Sequence, residues 1–224
     1  LNAARSALES PTLRVRSILL QTDRAALLNE VTAPPGVDVL LIGERDFSRI
    51  SDEESPQGIA VAAELDPPDF NQTPPQRPLL LYLHRINDPG NLGAIIRTAL
   101  WFDVRELLLS PDSADPYQPK VARASVGGIG HVRIYQNVGK EDLEVLEKTG
   151  YRLISTPVSG GADPAKAGLA PGGKNLLMLG SEARGLPPDL LQLSRQSLTI
   201  PKYGYGESLN LSAAAALLLY QIKS

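Results

Sequence analysis

Apolar positions along the chain fall into two regimes with a proline-rich stretch between them. In the first, short apolar runs are separated by polar turns. LNAARSALES reads as a short helix broken by Pro11, VRSILLQT as a strand, and DRAALLNEV as a helix capped by Asp23. VDVLLIGE and GIAVAAEL are apolar runs bounded by glycine and charge, the pattern of buried strands. Residues 1–66 are therefore expected to form a small α/β domain. Residues 67–78, within DPPDFNQTPPQRP, have no period and are expected to be a stiff, extended linker.

Over residues 79–224 continuous apolar strands alternate with helices. PLLLYLHRI, ELLLS, HVRIYQN, YRLISTPV and NLLML are the strands; NLGAIIRTALWF, VARASVGG and KEDLEVLEKTG are helices. That alternation predicts a parallel sheet covered on both faces, with ligands beyond the C-terminal ends of its strands. Residues 159–173 are expected to be a flexible connector. Near the end, Ser197 to Ile200 is a β-rich run stopped by Pro201, which cannot donate to a ladder. A loop with Gly204, Gly206, Ser208 and Asn210 then leads into an alanine-rich helix from about Leu211 to Ile222, with Asn210 as its natural N-cap.

Composition narrows the function classes. The 224 residues, 42% of them hydrophobic, suffice for one or two domains. A net charge of −3 argues against non-specific coating of nucleic acid, while a local basic patch stays possible. Arg5, Arg14, Arg16 and Arg24 are candidates for one, against the plainer reading as solvated charge. With no cysteine there are neither disulfides nor thiolate metal sites, and His84 and His131 lack metal spacing, so no metal is expected. No apolar run reaches the roughly 20 residues that span a bilayer, so no membrane partner is expected. The chain opens on Leu1 rather than Met, so its original N-terminus is expected to be missing. The expected location is the cytoplasm, with an organelle matrix left open for that reason.

Three stretches gather polar residues beside glycine. In INDPGNLGAIIRTALWF (86–102), Asp88-Pro89-Gly90 is a turn and Asn91 is expected to cap the helix that follows. Leu92, Ile95, Ile96, Ala99 and Leu100 form its core stripe; Arg97 lies off it, with an open approach across Gly93 and Ala94. In LLMLGSEARGLPPDLL (176–191), a buried strand ends in Gly180-Ser181-Glu182, where Glu182 either caps the next turn or orients a polar neighbour. The third is the C-terminal IPKYGYGESLNLSAAAALLLY. Each alone has a structural reading, as surface charge or helix cap.

In this order and with these gaps, the three stretches resemble the motifs of the SpoU (TrmH) family of RNA ribose 2′-O-methyltransferases, within the SPOUT superfamily. KVARASVGG is similar to a further K-x-S-x-G element of that family. The resemblance covers about residues 79–224, and residues 1–66 look like the substrate-binding domain that precedes the catalytic one in many members. Ala183 stands where glycine is frequent, and Trp101 and Asp103 replace a small residue and a glycine.

The resemblance implies a Rossmann-like parallel sheet with a deep trefoil knot, acting as a homodimer on RNA with S-adenosylmethionine as cofactor. Ribosomal RNA is favoured over transfer RNA because of the extra N-terminal domain. Cofactor contacts would fall at Gly180, Ile200 and Leu209, largely through backbone, and at Thr156. Arg97 matches an arginine held in the family to be the base. Using a neutral guanidine at pH 7 would cost roughly 7–9 kcal/mol, so Arg97 is expected instead to hold an RNA phosphate and stabilise charge on the 2′-oxygen. Asn91, Glu182, Ser208 and Asn210 would fix the geometry. The rival reading is an inactive RNA-binding or ribosome-assembly module of the same fold. A nucleotide-binding dehydrogenase fits less well, since no GxGxxG follows the first strand of the larger unit.

Overall fold

The structure is a computed structural model describing residues 1–51, 53, 55–167 and 172–223. Two sheets organise it, one of three strands and one of six.

The smaller sheet is preceded by helix α1 (Asn2–Leu8) and centred on β1 (Leu13–Gln21). β1 pairs in parallel with β2 (Asp38–Ile42). Helix α2 (Glu44–Ile50) then leads to β3 (Ile59–Leu65), which lies antiparallel to β1 on its other side. Ile18, Leu20 and Phe47 are its buried centre. Several sequence expectations change here, including that of a buried strand at GIAVAAEL, since β3 has no fully buried residue. Residues Thr22–Glu30 form a 3-10 helix with no buried residue, and Gln21, not Asp23, occupies its cap position. β2 is an exposed edge strand rather than a buried one, because the few short helices of this unit leave it uncovered. Helix α2 has no sequence signal, since it is two turns long and buries only Phe47.

The segment 67–78 has no helix or strand, and it is docked on the larger unit. Phe70 meets Tyr135 edge-on with ring centres 6.2 Å apart. Glu106, 4% exposed, accepts the main-chain N–H groups of Gln76 and Arg77, each at 2.8 Å. The Tyr151 hydroxyl donates to the Arg77 carbonyl at 2.9 Å.

The larger sheet follows, with β4 (Leu79–Leu83), α3 (Pro89–Trp101), β5 (Glu106–Leu109) and α4 (Pro119–Ala124). Next come β6 (Arg133–Tyr135), α5 (Lys140–Lys148), β7 (Arg152–Ser155) and β8 (Asn175–Leu179). The chain closes with α6 (Pro188–Leu193), β9 (Gln196–Ser197) and α7 (Leu211–Lys223). All strands are parallel, in the order β6-β5-β4-β8-β7-β9. Because β-strand side chains alternate, Leu79, Leu81 and Leu83 face α3 and α7, while Leu80 and Tyr82 face the cluster of α5 and α6. Covered on both faces, the sheet explains why its strands read as continuous apolar runs.

The β-rich run at 197–200 is mostly extended rather than paired: only Gln196–Ser197 join β7, and Leu198 makes an isolated bridge to Ala162. Part of the expected 159–173 connector, residues 168–171, lies outside the described residues; a 3-10 turn spans Pro164–Lys166. Asp103, where the family favours glycine, adopts φ 52°. An aspartate tolerates that left-handed region better than most residues, and Arg105 Nε donates to its carboxylate at 2.6 Å. That bond holds the carboxyl below its ordinary range.

The small unit rests on the segment after α4. Thr12 Oγ1 donates to the Gly130 carbonyl at 2.9 Å, and Ser10 Oγ donates to the same oxygen. A Cβ on Gly127 or Gly130 would come within 2.7 Å of Ser6 or Ser10, so these glycines permit the docking. Ser125 is buried, its hydroxyl donating to the Ala122 carbonyl at 3.0 Å.

Candidate active site

β4 and β8 are neighbours in the sheet, yet the chain leaves them for opposite directions, so their C-terminal ends border a crevice. Both polar motifs of that edge sit there. After β4, Asp88 is the N-cap of α3: its Oδ1 accepts from Asn91 N at 2.7 Å, and Pro89 fills the first helical position. This corrects the expectation that Asn91 caps the helix. Asn91 contributes only its main-chain N–H to the cap, which frees its amide for other partners.

That amide reaches two residues far away in sequence. Asn91 Nδ2 donates to Glu182 Oε1 at 2.8 Å, and Asn91 Oδ1 accepts from Asn210 Nδ2 at 2.9 Å. Asn210 is the expected cap of α7: its Oδ1 accepts from Ser212 N at 3.0 Å, Ser212 Oγ at 2.6 Å and Ala213 N at 3.4 Å. With the oxygen committed to the helix, the amide nitrogen must point outward. It meets Asn91 Oδ1, and that in turn directs Asn91 Nδ2 to the carboxylate. Glu182 Oε1 also accepts Leu211 N at 3.3 Å and Asn210 Nδ2 at 3.4 Å. A carboxylate at the start of α7 is favoured by the helix dipole.

Beside this cluster is a cavity of about 350 Å³. Its walls include all four expected cofactor residues, Thr156, Gly180, Ile200 and Leu209, together with Glu182 and Ser208. Leu179, Leu198, Leu211 and Leu218 line its apolar part. Gly180 is obligatory, since a Cβ there would lie 2.0 Å from the Gly185 carbonyl carbon. Thr156 Oγ1 is spent on the Met178 carbonyl at 2.8 Å, so it shapes the wall. Among the described residues, no main-chain N–H from Ile200 to Asn210 donates to another protein group. A nucleoside-like ligand that exchanges hydrogen bonds with main chain fits such a site.

Arg97 is exposed, outside the cavity lining, and makes no hydrogen bond or ion pair among the described residues. Gly93 does not give it room. The missing Cβ admits α4 instead, because it would lie 2.4 Å from Ala124 Cβ and 2.8 Å from the Val121 carbonyl oxygen. Ser208 is exposed on the cavity wall without a hydrogen bond among the described residues. Of the N-terminal arginines, Arg16 pairs with Glu64 at 2.6 Å, Arg24 approaches Asp23 at 3.9 Å and Arg5 donates to the Glu30 carbonyl at 2.9 Å. Most of that cluster is therefore engaged locally.

Residues 78–220 match the model of the SpoU rRNA methylase family. The chain is 28% identical over 221 residues to RlmP of Bacillus subtilis, a 23S rRNA (guanosine(2553)-2′-O)-methyltransferase, covering 97% of this chain and 84% of that one. A solved TrmH-family structure from Porphyromonas gingivalis superposes with TM-score 0.83 at 32% identity, covering 98% of this chain and 86% of that one. An AdoMet-bound rRNA methyltransferase from Sinorhizobium meliloti shares the fold, with TM-score 0.84 at 24% identity, covering 100% and 84% of the two chains.

Proposed function

The chain belongs to the SpoU rRNA methylase family, and on that footing we propose that it methylates a ribose 2′-hydroxyl of ribosomal RNA with S-adenosylmethionine as donor. One observation carries the reading. Asn91, Glu182 and Asn210, from three distant parts of the chain, meet on one carboxylate oxygen at the edge of a nucleoside-sized cavity. Relatives named as 23S rRNA 2′-O-methyltransferases support the substrate class.

Gly180, Ile200 and Leu209 would hold the cofactor through main-chain groups, with Thr156 supporting the wall. When bound, S-adenosylmethionine supplies an electrophilic methyl on a sulfonium whose leaving group is a neutral thioether. The chain's own task is then alignment, which can contribute about 7–11 kcal/mol, and charge stabilisation. Arg97 grips an RNA phosphate and offsets negative charge growing on the 2′-oxygen; its lack of a protein partner among the described residues suits that role. The amide–carboxylate relay keeps α3, the turn after β8 and the start of α7 in fixed register, and Ser208 faces the same space.

The reading includes a homodimer and a trefoil knot. Trp101, 86% exposed at the end of α3, with Leu217 and Tyr220 exposed on the α7 packed beside it, is the face we assign to the second copy. Support for the knot comes from Gly161, where a would-be Cβ meets the Leu198 carbonyl carbon at 2.7 Å and backbone from distant parts of the chain passes close.

Calorimetry with S-adenosylhomocysteine, followed by labelled methyl transfer to transcribed, unmodified 23S rRNA, tests the function. Arg97→Ala is expected to lose at least about a hundredfold in transfer, in line with the loss of one charge-stabilising donor, while cofactor affinity stays within a few-fold. Arg97→Lys rescues poorly, since a point charge does not replace the bidentate fork. Cofactor binding without transfer to any RNA would favour the inactive RNA-binding module. No heat with the folded protein would overturn the cofactor assignment.

A further inference from the structure

Between Pro201 and Ser208 the loop carries two aromatic side chains that the reaction, as described above, does not use. Tyr203 is 95% exposed and Tyr205 108%, the two most exposed large hydrophobic residues described. Both belong to the lining of the cavity that holds Glu182 and Ser208. The Lys202 ammonium donates to the Gly206 carbonyl and closes the loop across its base. Gly206, at φ 133°, takes a turn that a side chain would resist, and Gly204 has nothing within 4 Å of a would-be Cβ. The rings are thus presented outward by a loop held at its own two ends.

Their neighbours along the loop are small or charged. Tyr203 and Tyr205 alternate with Lys202, Gly204, Gly206 and Glu207, so each ring is separated from the next by a residue without an apolar side chain. Each ring offers an open π-face, and the exposed large hydrophobic residues that share the cavity lining with them are Val158 and Leu209. The cavity's inner wall is already aliphatic, from Leu179, Leu198 and Leu218, so the tyrosines mark its outer mouth. Freely exposed aromatic rings next to a cation are the chemistry that stacks unpaired nucleobases.

We infer that Tyr203 and Tyr205 form a stacking platform for nucleobases flanking the methylated ribose, holding the target strand unpaired at the cavity mouth. The inference rests on the proposed RNA methylation and adds to it a site for single-stranded bases.

The test uses the full chain, a short single-stranded oligoribonucleotide carrying 2-aminopurine, and transcribed 23S rRNA. The unaltered protein quenches 2-aminopurine fluorescence on binding. Tyr203→Ala and Tyr205→Ala each weaken RNA binding on the order of tenfold and relieve the quenching. Tyr203→Phe and Tyr205→Phe retain both, because the ring and not the hydroxyl stacks. S-adenosylhomocysteine affinity and oligomeric state stay unchanged in all four. Alanine variants with unaltered quenching and KM for RNA, beside an active unaltered protein, overturn this platform and leave the methyltransferase reading standing. Phenylalanine variants as weak as alanine, lost cofactor binding, or a changed oligomeric state overturn it in favour of a hydroxyl contact, a cofactor wall, or a subunit contact. An unaltered protein that transfers no methyl to RNA removes the function and the platform with it.

Discussion

At Gly180 the would-be Cβ lies 2.0 Å from one main-chain carbon, 2.3 Å from the Leu186 nitrogen and 2.4 Å from the Gly185 oxygen. Backbone cannot rotate away as a side chain can. Gly180→Ala is expected to cost about 1–3 kcal/mol or more and to abolish cofactor binding, read by urea unfolding and calorimetry. Gly43→Ala, in open space and outside the cavity lining, is the control and should leave cofactor binding within error. At this scale the sequence was readable where one residue type had one job. Asn210 capped its helix as expected. Asn91 did not, because Asp88, three residues earlier, is an equally good cap. The deciding signal was Pro89: it holds the residue before it extended, the conformation of an N-cap, and itself suits the first helical position.

The cap matters at the level of the element because α3 carries both Asn91 and Arg97. Asp88→Ala removes the acceptor for Asn91 N and is expected to cost about 1 kcal/mol. Thermal unfolding measures that loss, and transfer activity should fall further than stability alone accounts for, since the first turn sets the Asn91 amide. Equal activity at saturating substrate would detach the cap from the site. The elements of the larger sheet were legible because burial on both faces leaves a long apolar run. The small elements were not. α6 and α2 are two turns or fewer with one buried residue each, too short to display a stripe. β2 shows the opposite failure: its DVLLI run has the composition of a core strand but lies at an open edge, and composition does not record which side of a sheet is covered.

For the molecule as a whole, the proline-rich stretch suggests a boundary, and the structure refines where a shortened chain should start. Glu106 is buried and its Oε2 is satisfied by Gln76 and Arg77 N–H groups, so beginning at Pro78 strands a charged group. A chain starting at Asp66 is expected to fold, dimerise and bind cofactor. One starting at Pro78 should unfold about 1–3 kcal/mol more easily, measured by urea midpoint. We propose that residues 1–66 select the target, so the Asp66 chain should methylate 23S rRNA far more weakly than the full chain. Equal activity would assign target choice to the larger sheet and its loops. The partners of Glu182 also fix an order in time. Its donors come from residues 91, 210 and 211, so translation supplies the last two long after the first. A polypeptide still being synthesised has no assembled site until α7 has cleared the ribosome.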